Sequence, residues 1–141
     1  MHIQDLILRE ILMDVRWIQL GHKPDSRGEL IVAEAQKNIP FEIKRVYCLY
    51  GMKDEPRGFH AHKELEQVMI CLAGFCHVTL DNGANREIVE MRPSSQGLFI
   101  DKMIWHEMHD FSSDCVLIVL ASQWYDEGDY LRDYEEFLRA C

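Results

Sequence analysis

No apolar run in this chain approaches the roughly 20 residues that a helix needs to cross a bilayer, so no membrane partner is expected. Basic residues are in short supply: 15 lysines and arginines face 24 aspartates and glutamates, for a formal charge of −9. Attraction to a phosphate backbone needs a basic surface, so a nucleic-acid partner is not expected either. A few local arginines still suffice to hold a small anion. No Cys-x-x-Cys pair occurs, and the five cysteines (Cys48, Cys71, Cys76, Cys115 and Cys141) are an odd number. Reduced, buried thiols in a cytoplasmic protein are the expectation. Met1-His2-Ile3-Gln4-Asp5 lacks the basic-then-apolar order of a signal peptide. There is no internal repeat, linker or low-complexity segment. With hydrophobic residues at 48% and charged residues at 28%, residues 1–141 read as one globular domain with a sizeable core.

Periodicity supplies the elements. Ile3, Leu6, Ile7 and Ile11 stand near helical spacing, which predicts a helix over 3–12. Short strands are predicted over 15–20, 29–35, 43–50, 67–73, 75–80, 86–91, 97–100 and 115–121, with another through the histidines at 60 and 62. Lys23-Pro24-Asp25-Ser26-Arg27-Gly28 has turn chemistry, and Asp81-Asn82-Gly83 signals a hairpin. After Asp126, residues Tyr130, Tyr134, Phe137 and Leu138 recur at helical spacing and predict one C-terminal helix. Many short strands between turns make an all-β fold, a double-sheet jelly roll or barrel, with a pocket in its mouth.

The densest chemistry lies in Arg57-Gly58-Phe59-His60-Ala61-His62-Lys63-Glu64-Leu65-Glu66. His60 and His62 are two apart, so a strand points both imidazoles to one face. An unbroken strand gives Glu66, Val68, Ile70 and Leu72 the same face. A second cluster follows at Trp105-His106-Glu107-Met108-His109-Asp110. Two readings fit. Neutral imidazoles and a carboxylate at His60, His62, Glu66 and His106 suit zinc, iron or nickel. Histidine also suits proton transfer near neutral pH. On spacing alone, metal ligation is the stronger of the two.

His60, His62, Glu66, Gly74 and His106 match the common cupin pattern. Longer segments sharpen the likeness: Lys44-Arg45-Val46-Tyr47, residues 55–63, Leu65-Glu66-Gln67-Val68 and residues 105–115. Asp25-Ser26-Arg27-Gly28, Asn38-Ile39-Pro40-Phe41, Val119-Leu120-Ala121-Ser122 and the tail from Tyr125-Asp126-Glu127 to Asp129-Tyr130 add to it. Together they resemble the dTDP-4-keto-6-deoxyglucose 3,4-ketoisomerases of the cupin superfamily, over residues 25–137. Two departures stand out. Asp101-Lys102-Met103 replaces the Gly-Pro turn frequent in relatives, and the first residues do not align.

The resemblance implies a cupin-type jelly roll, a homodimer, and a dTDP-linked 4-keto-6-deoxyhexose as substrate. It implies that the keto group moves from C4 to C3 with no cofactor and no metal, so it reverses the order of the two readings. It also implies a role in making dTDP-3-amino-3,6-dideoxyhexoses, as for O-antigen lipopolysaccharide. His60 and His62 become the catalytic pair, with His106 in the same pocket. Arg57 is the expected pyrophosphate ligand, because a bidentate guanidinium suits phosphate oxygens. Arg45 is a weaker candidate by the same logic. Tyr47 either bonds a sugar oxygen or packs in the core, and Trp105 either lines the pocket or fills core. Glu66 is expected to orient a histidine at the substrate. His109 is as readily structural as functional, while His2, His22 and His77 read as exposed or structural. The expected product is the 3-keto-6-deoxygalactose epimer. The alternatives are a metal-dependent cupin enzyme and a non-catalytic sugar-binding cupin.

Overall fold

A computed structural model describes residues 15–141, so the helix expected over 3–12 lies outside the described residues. The strands are β1 (Arg16–Gln19), β2 (Gly21–His22), β3 (Ile31–Val32), β4 (Arg45–Leu49), β5 (Arg57–His62), β6 (Gln67–Ala73), β7 (Cys76–Asp81), β8 (Arg86–Met91), β9 (Gln96–Ile100), β10 (Trp105–His109), β11 (Val116–Ala121) and β12 (Tyr130–Leu131). One helix, α1 (Tyr134–Ala140), ends the chain. One sheet runs β1-β9-β6-β11-β4 and the other β12-β5-β10-β7-β8, with β2-β3 as a small ribbon. Successive strands change sheets repeatedly, which is the jelly-roll arrangement expected from the sequence.

The two sheets bury one core between them. Met69 and Cys71 of β6, Val78 and Leu80 of β7, Leu98 and Ile100 of β9, Met108 of β10, and Leu117 and Val119 of β11 meet there. Strand β11 is apolar on both faces because both are covered. Its Leu120 packs instead with Ile18, Leu20, Ile39, Phe41, Val68, Ile70 and Phe99 on the outer side of the first sheet. The second sheet is backed at one end by Ala61, Trp105, Leu131 and Phe137. The hairpin at Asp81-Asn82-Gly83 forms as expected. Gly83 takes φ +93° and donates its N–H to the Asp81 carboxylate at 2.7 Å.

Three expectations need correction. The strand expected over 29–35 shrinks to Ile31–Val32. The shared face of His62, Glu66, Val68, Ile70 and Leu72 does not exist, because β5 ends at His62 and β6 starts in the other sheet at Gln67. Gln67, Met69 and Cys71 carry the inward parity, whereas Val68 and Ile70 face outward and Leu72 is exposed. The C-terminal helix is also shorter than its spacing suggested. Asp133 caps it, accepting from the Glu136 N–H at 3.0 Å, and Tyr130–Leu131 pairs with β5 instead.

Helix α1 holds β12 in place. Phe137 is fully buried against Trp105 and Tyr134, and the Tyr134 hydroxyl donates to the Asp81 carboxylate at 2.7 Å. Phe137→Ala is expected to cost about 3–5 kcal/mol of stability, the range for emptying such a site. Urea denaturation checks this, with the exposed Ile88→Ala as the control that moves the midpoint little.

Candidate active site

The site forms where β5 meets β10. His60 and His106 are register partners, but Glu107 pairs with Gly58, so Phe59 is the extra residue of a β-bulge. Gly58 (φ +95°) and Phe59 (φ +61°) make that kink. A Cβ at Gly58 would lie 2.8 Å from the His106 carbonyl oxygen, so only glycine fits. The bulge brings the rings of His60 and His106 to 4.6 Å between centroids, and His60 to 4.9 Å from His62. Tyr130, the register partner of His62, closes the group at 4.4 Å from His62 and 5.0 Å from His60.

Backbone carbonyls orient two of the rings. His60 Nδ1–H donates to Gly58 O and His106 Nδ1–H to Ile104 O, both at 3.1 Å, in the tautomers that leave Nε2 with its lone pair. His62 has no hydrogen-bond partner on either nitrogen although it is 2% exposed. Its Nδ1 lies 3.6 Å from the Asp129 carboxylate. Burial first, then the neighbouring His106, pushes His60 and His62 down to about 3, and burial also lowers His106. All three imidazoles are therefore neutral near pH 7, the form that accepts a proton.

His60 opens onto a cavity of about 190 Å³ that is also lined by Arg45, Tyr47, Arg57, Met108 and Tyr130. His62 and His106 are buried beside it. Gln67 donates its side-chain N–H to the Tyr47 hydroxyl oxygen at 2.8 Å, which leaves the Tyr47 proton free for another acceptor. Burial holds that phenol protonated, pushed up to about 12. Arg45 stacks near Tyr47 and Tyr125, with ring distances of 5.5 and 5.6 Å, and its Nε is buried without a partner. A larger cavity, about 450 Å³, gathers only His22, Glu29 and Cys71 as titratable groups, and His22 and Glu29 are paired with each other.

Of the residues expected at the site, His60, His62 and His106 come together, and Arg45, Tyr47 and Arg57 line the adjoining cavity. Glu66 does not join them. Lying beyond the end of β5, it points to Lys102 at 3.6 Å. Trp105 does not join them either. It neighbours His106 on the strand, so it takes the opposite face, packs against Tyr134 and Phe137, and donates to Glu107 at 2.7 Å. His109 also faces away, toward His77. Sequence reasoning missed Asp129 and Tyr130 at the histidines. Their signal was the tail motif, but Tyr130 was absorbed into a helical spacing that it does not obey.

The ligand nitrogens of His60, His62 and His106 lie within 4.8 Å of one another, so this trio also has the spacing of a three-nitrogen metal set. Without Glu66, that set lacks the carboxylate of the expected quartet.

The depressed histidines make a pH prediction. An unfolded chain protonates histidine near 6.5, while the folded His60 and His62 resist until about 3. The unfolded state thus binds more protons between those values, and stability falls as pH drops from 6.5 toward 3. The ring C–H resonances of His60 and His62 should stay at their neutral positions at pH 5. A midpoint near 6.5 for either ring in NMR would overturn the buried, neutral assignment.

Residues 13–141 match the family model described as FdtA: WxcM-like, C-terminal. A TDP-4-oxo-6-deoxy-alpha-D-glucose-3,4-oxoisomerase of Aneurinibacillus thermoaerophilus is 56% identical over 114 residues, covering 80% of this chain and 82% of that one. The crystal structure of a 3,4-ketoisomerase from Helicobacter canadensis superposes with a TM-score of 0.87 at 49% identity, over 92% of this chain and 98% of that one. A mutant of the 3,4-ketoisomerase QdtA from Thermoanaerobacterium thermosaccharolyticum, in complex with TDP-4-keto-6-deoxyglucose, gives 0.88 at 41% identity over 92% and 94% of the two chains. With a family model spanning nearly all of its length and a relative more than half identical, this chain belongs to the FdtA family.

Proposed function

We propose that the chain is a TDP-sugar 3,4-ketoisomerase that moves the ketone of dTDP-4-keto-6-deoxyglucose from C4 to C3. The observation that carries this reading is the group of neutral, buried imidazoles beside a cavity lined by two arginines and a protonated tyrosine. The C3 hydrogen is α to the C4 carbonyl and therefore acidic. His60 takes that proton, and the electron pair moves to O4, giving an enediolate. O4 gains a proton, O3 loses one, and C4 is protonated as the C3 carbonyl forms. His62, next to His60, serves as its partner in proton transfer. Tyr47 donates its free O–H to the developing oxyanion, where a fixed donor lowers the barrier most. Arg57 and Arg45 bind the diphosphate, a contact remote from the reacting carbons.

The product follows from which side of the ring the base occupies. The C3 hydrogen of a gluco-configured chair is axial on the lower face. His60, His62 and His106 all rise from the β5–β10 wall, which supports proton delivery from that same side. Return of the proton to C4 from below leaves the C4 hydroxyl axial, which is the galacto epimer. The reaction needs no metal in this reading. The spacing of the three imidazoles favours a second one, in which they hold a metal that polarises the ketone.

One experiment addresses these points: proton NMR of dTDP-4-keto-6-deoxyglucose with the protein in D2O. Expected are dTDP-3-keto-6-deoxygalactose, partial transfer of label from C3 to C4, and unchanged turnover after chelation. His60→Asn and His62→Asn are each expected to lower turnover by about 10²–10⁴-fold, the typical worth of acid–base groups. No conversion rejects the isomerase. An equatorial C4 hydroxyl requires a donor above the ring. Activity lost on chelation and restored by one metal establishes the second reading.

The same proposal includes a homodimer in the cytoplasm, supplying 3-amino-3,6-dideoxyhexoses for a surface polysaccharide such as O-antigen. Trp17, Leu30, Val46 and Leu72 are exposed apolar side chains that a partner copy would cover. All five cysteines are free, which suits a reducing compartment. Light scattering on the eluting protein should give twice the chain mass of 16.6 kDa, and a monomer counts against the dimer.

A further inference from the structure

A second histidine cluster stands apart from the cavity. His77 of β7 and His109 of β10 are register partners on the outer face of the second sheet. Asp110 follows β10 with φ +55°, a left-handed turn that brings its carboxylate back over the strands. Its Oδ2 lies 3.0 Å from His77 Nδ1 and 3.0 Å from His109 Nδ1. All three ligand atoms fall within 4.8 Å of one another. His77 and His109 are partly buried, while Asp110 is open to solvent. Three residues along the strand and the opposite facing separate this group from His106, so it is not part of the active site.

We infer that His77, His109 and Asp110 form a surface site for a zinc-class divalent cation, with water completing the coordination. Two imidazole nitrogens and one carboxylate oxygen are the donors such ions prefer, and three protein ligands with open positions is a common arrangement. Separations of 3.0 Å between donors are close to those of ligands around one small ion. The ion replaces the Nδ1 protons that now bridge each ring to the carboxylate. Support comes from one shell further out. Thr79 is buried, and its Oγ1 lies 2.8 Å from His109 Nε2. When the ion displaces the Nδ1 proton, the His109 ring carries its proton on Nε2, where Thr79 Oγ1 can accept it, the role that outer partners play for ligating histidines. Glu90 is the register partner of His77 on β8 and is paired with Arg92. A bound ion would tie β7, β10 and the loop after β10 together. It would stabilise the fold by mass action and leave the catalytic cavity untouched.

Zinc titration of the tag-free full chain tests this inference, followed by calorimetry and by the histidine ring resonances. Variants at both clusters are needed, because the active-site imidazoles also have ligand spacing. In the wild type, one equivalent is expected to bind with shifts at His77 and His109 and a raised melting temperature. His60→Asn should keep this event. His77→Gln and Asp110→Asn should lose it while remaining folded by circular dichroism and active. Thr79→Val should weaken it by about 10–100-fold, the usual cost of removing an outer-shell partner. Equal binding by wild type and His77→Gln overturns the site. So does binding that disappears only in His60→Asn, which assigns the ion to the active-site trio, and so does the absence of any heat or shift in the wild type.

Discussion

The pocket depends on a close approach of two backbones at Gly58. Strands β5 and β10 meet there with no room for a side chain, since a Cβ would lie 2.8 Å from the His106 oxygen. The extra residue, Phe59, takes a left-handed conformation that costs a non-glycine residue about 1–3 kcal/mol. That strain has a geometric result. A regular antiparallel pair would set the β5 side chains by simple alternation from Arg57. The bulge resets the count by one residue, so Arg57 and His60 reach the same cavity although they are three apart. A single kink thus brings the proposed diphosphate ligand and the proposed base to one cavity.

Asp129 supplies the second constraint. Its carboxylate accepts from the Glu64 and Leu65 N–H groups at 2.9 and 3.2 Å, and its own carbonyl accepts from the Lys63 N–H at 3.0 Å. It therefore fixes the turn by which the chain leaves β5 for the other sheet. The same carboxylate stands 3.6 Å from His62 Nδ1. Directly after it, Tyr130 pairs with His62 and packs on two imidazoles. One short segment, Asp129-Tyr130, thus sets the turn and part of the cavity wall.

How much of this was legible in the sequence depended on the range of the interaction. The His60–His62 spacing is local, and the two rings do share a face. The partnership with His106 was legible as a motif, and the hairpin at Asp81-Asn82-Gly83 from turn chemistry. Glu66 was misjudged because parity was carried through a sheet change that no local pattern marks. Trp105 was left open between pocket wall and core although its alternation with His106 was available, and the structure places it in the core. Tyr130 was hidden by competition between two signals. Its spacing to Tyr134 and Phe137 suits a helix, but Asp133 caps that helix later and β5 offers a pairing edge.

The polar atoms left without partners point to the same place as the geometry. Among the described residues, the buried side-chain nitrogens or oxygens lacking a hydrogen bond are Arg45 Nε and the two ring nitrogens of His62. Such a group typically costs about 1–3 kcal/mol of desolvation, and folded proteins satisfy nearly all of them. A fold optimised for stability alone would replace His62 by an apolar residue, as it does at its neighbour Ala61. Instead, three desolvated imidazoles lie together, with His106 lowering the proton affinity of His60 and His62, and His60 that of His62. That arrangement destabilises the folded state in acid but keeps the imidazoles free of a proton at neutral pH. Low basicity has its own cost, because a weak base takes a carbon-bound proton slowly. In the proposed binding mode a diphosphate at Arg45 would offset one of the charges that lower the proton affinity of His62, so the histidine group would gain basicity as the cavity fills.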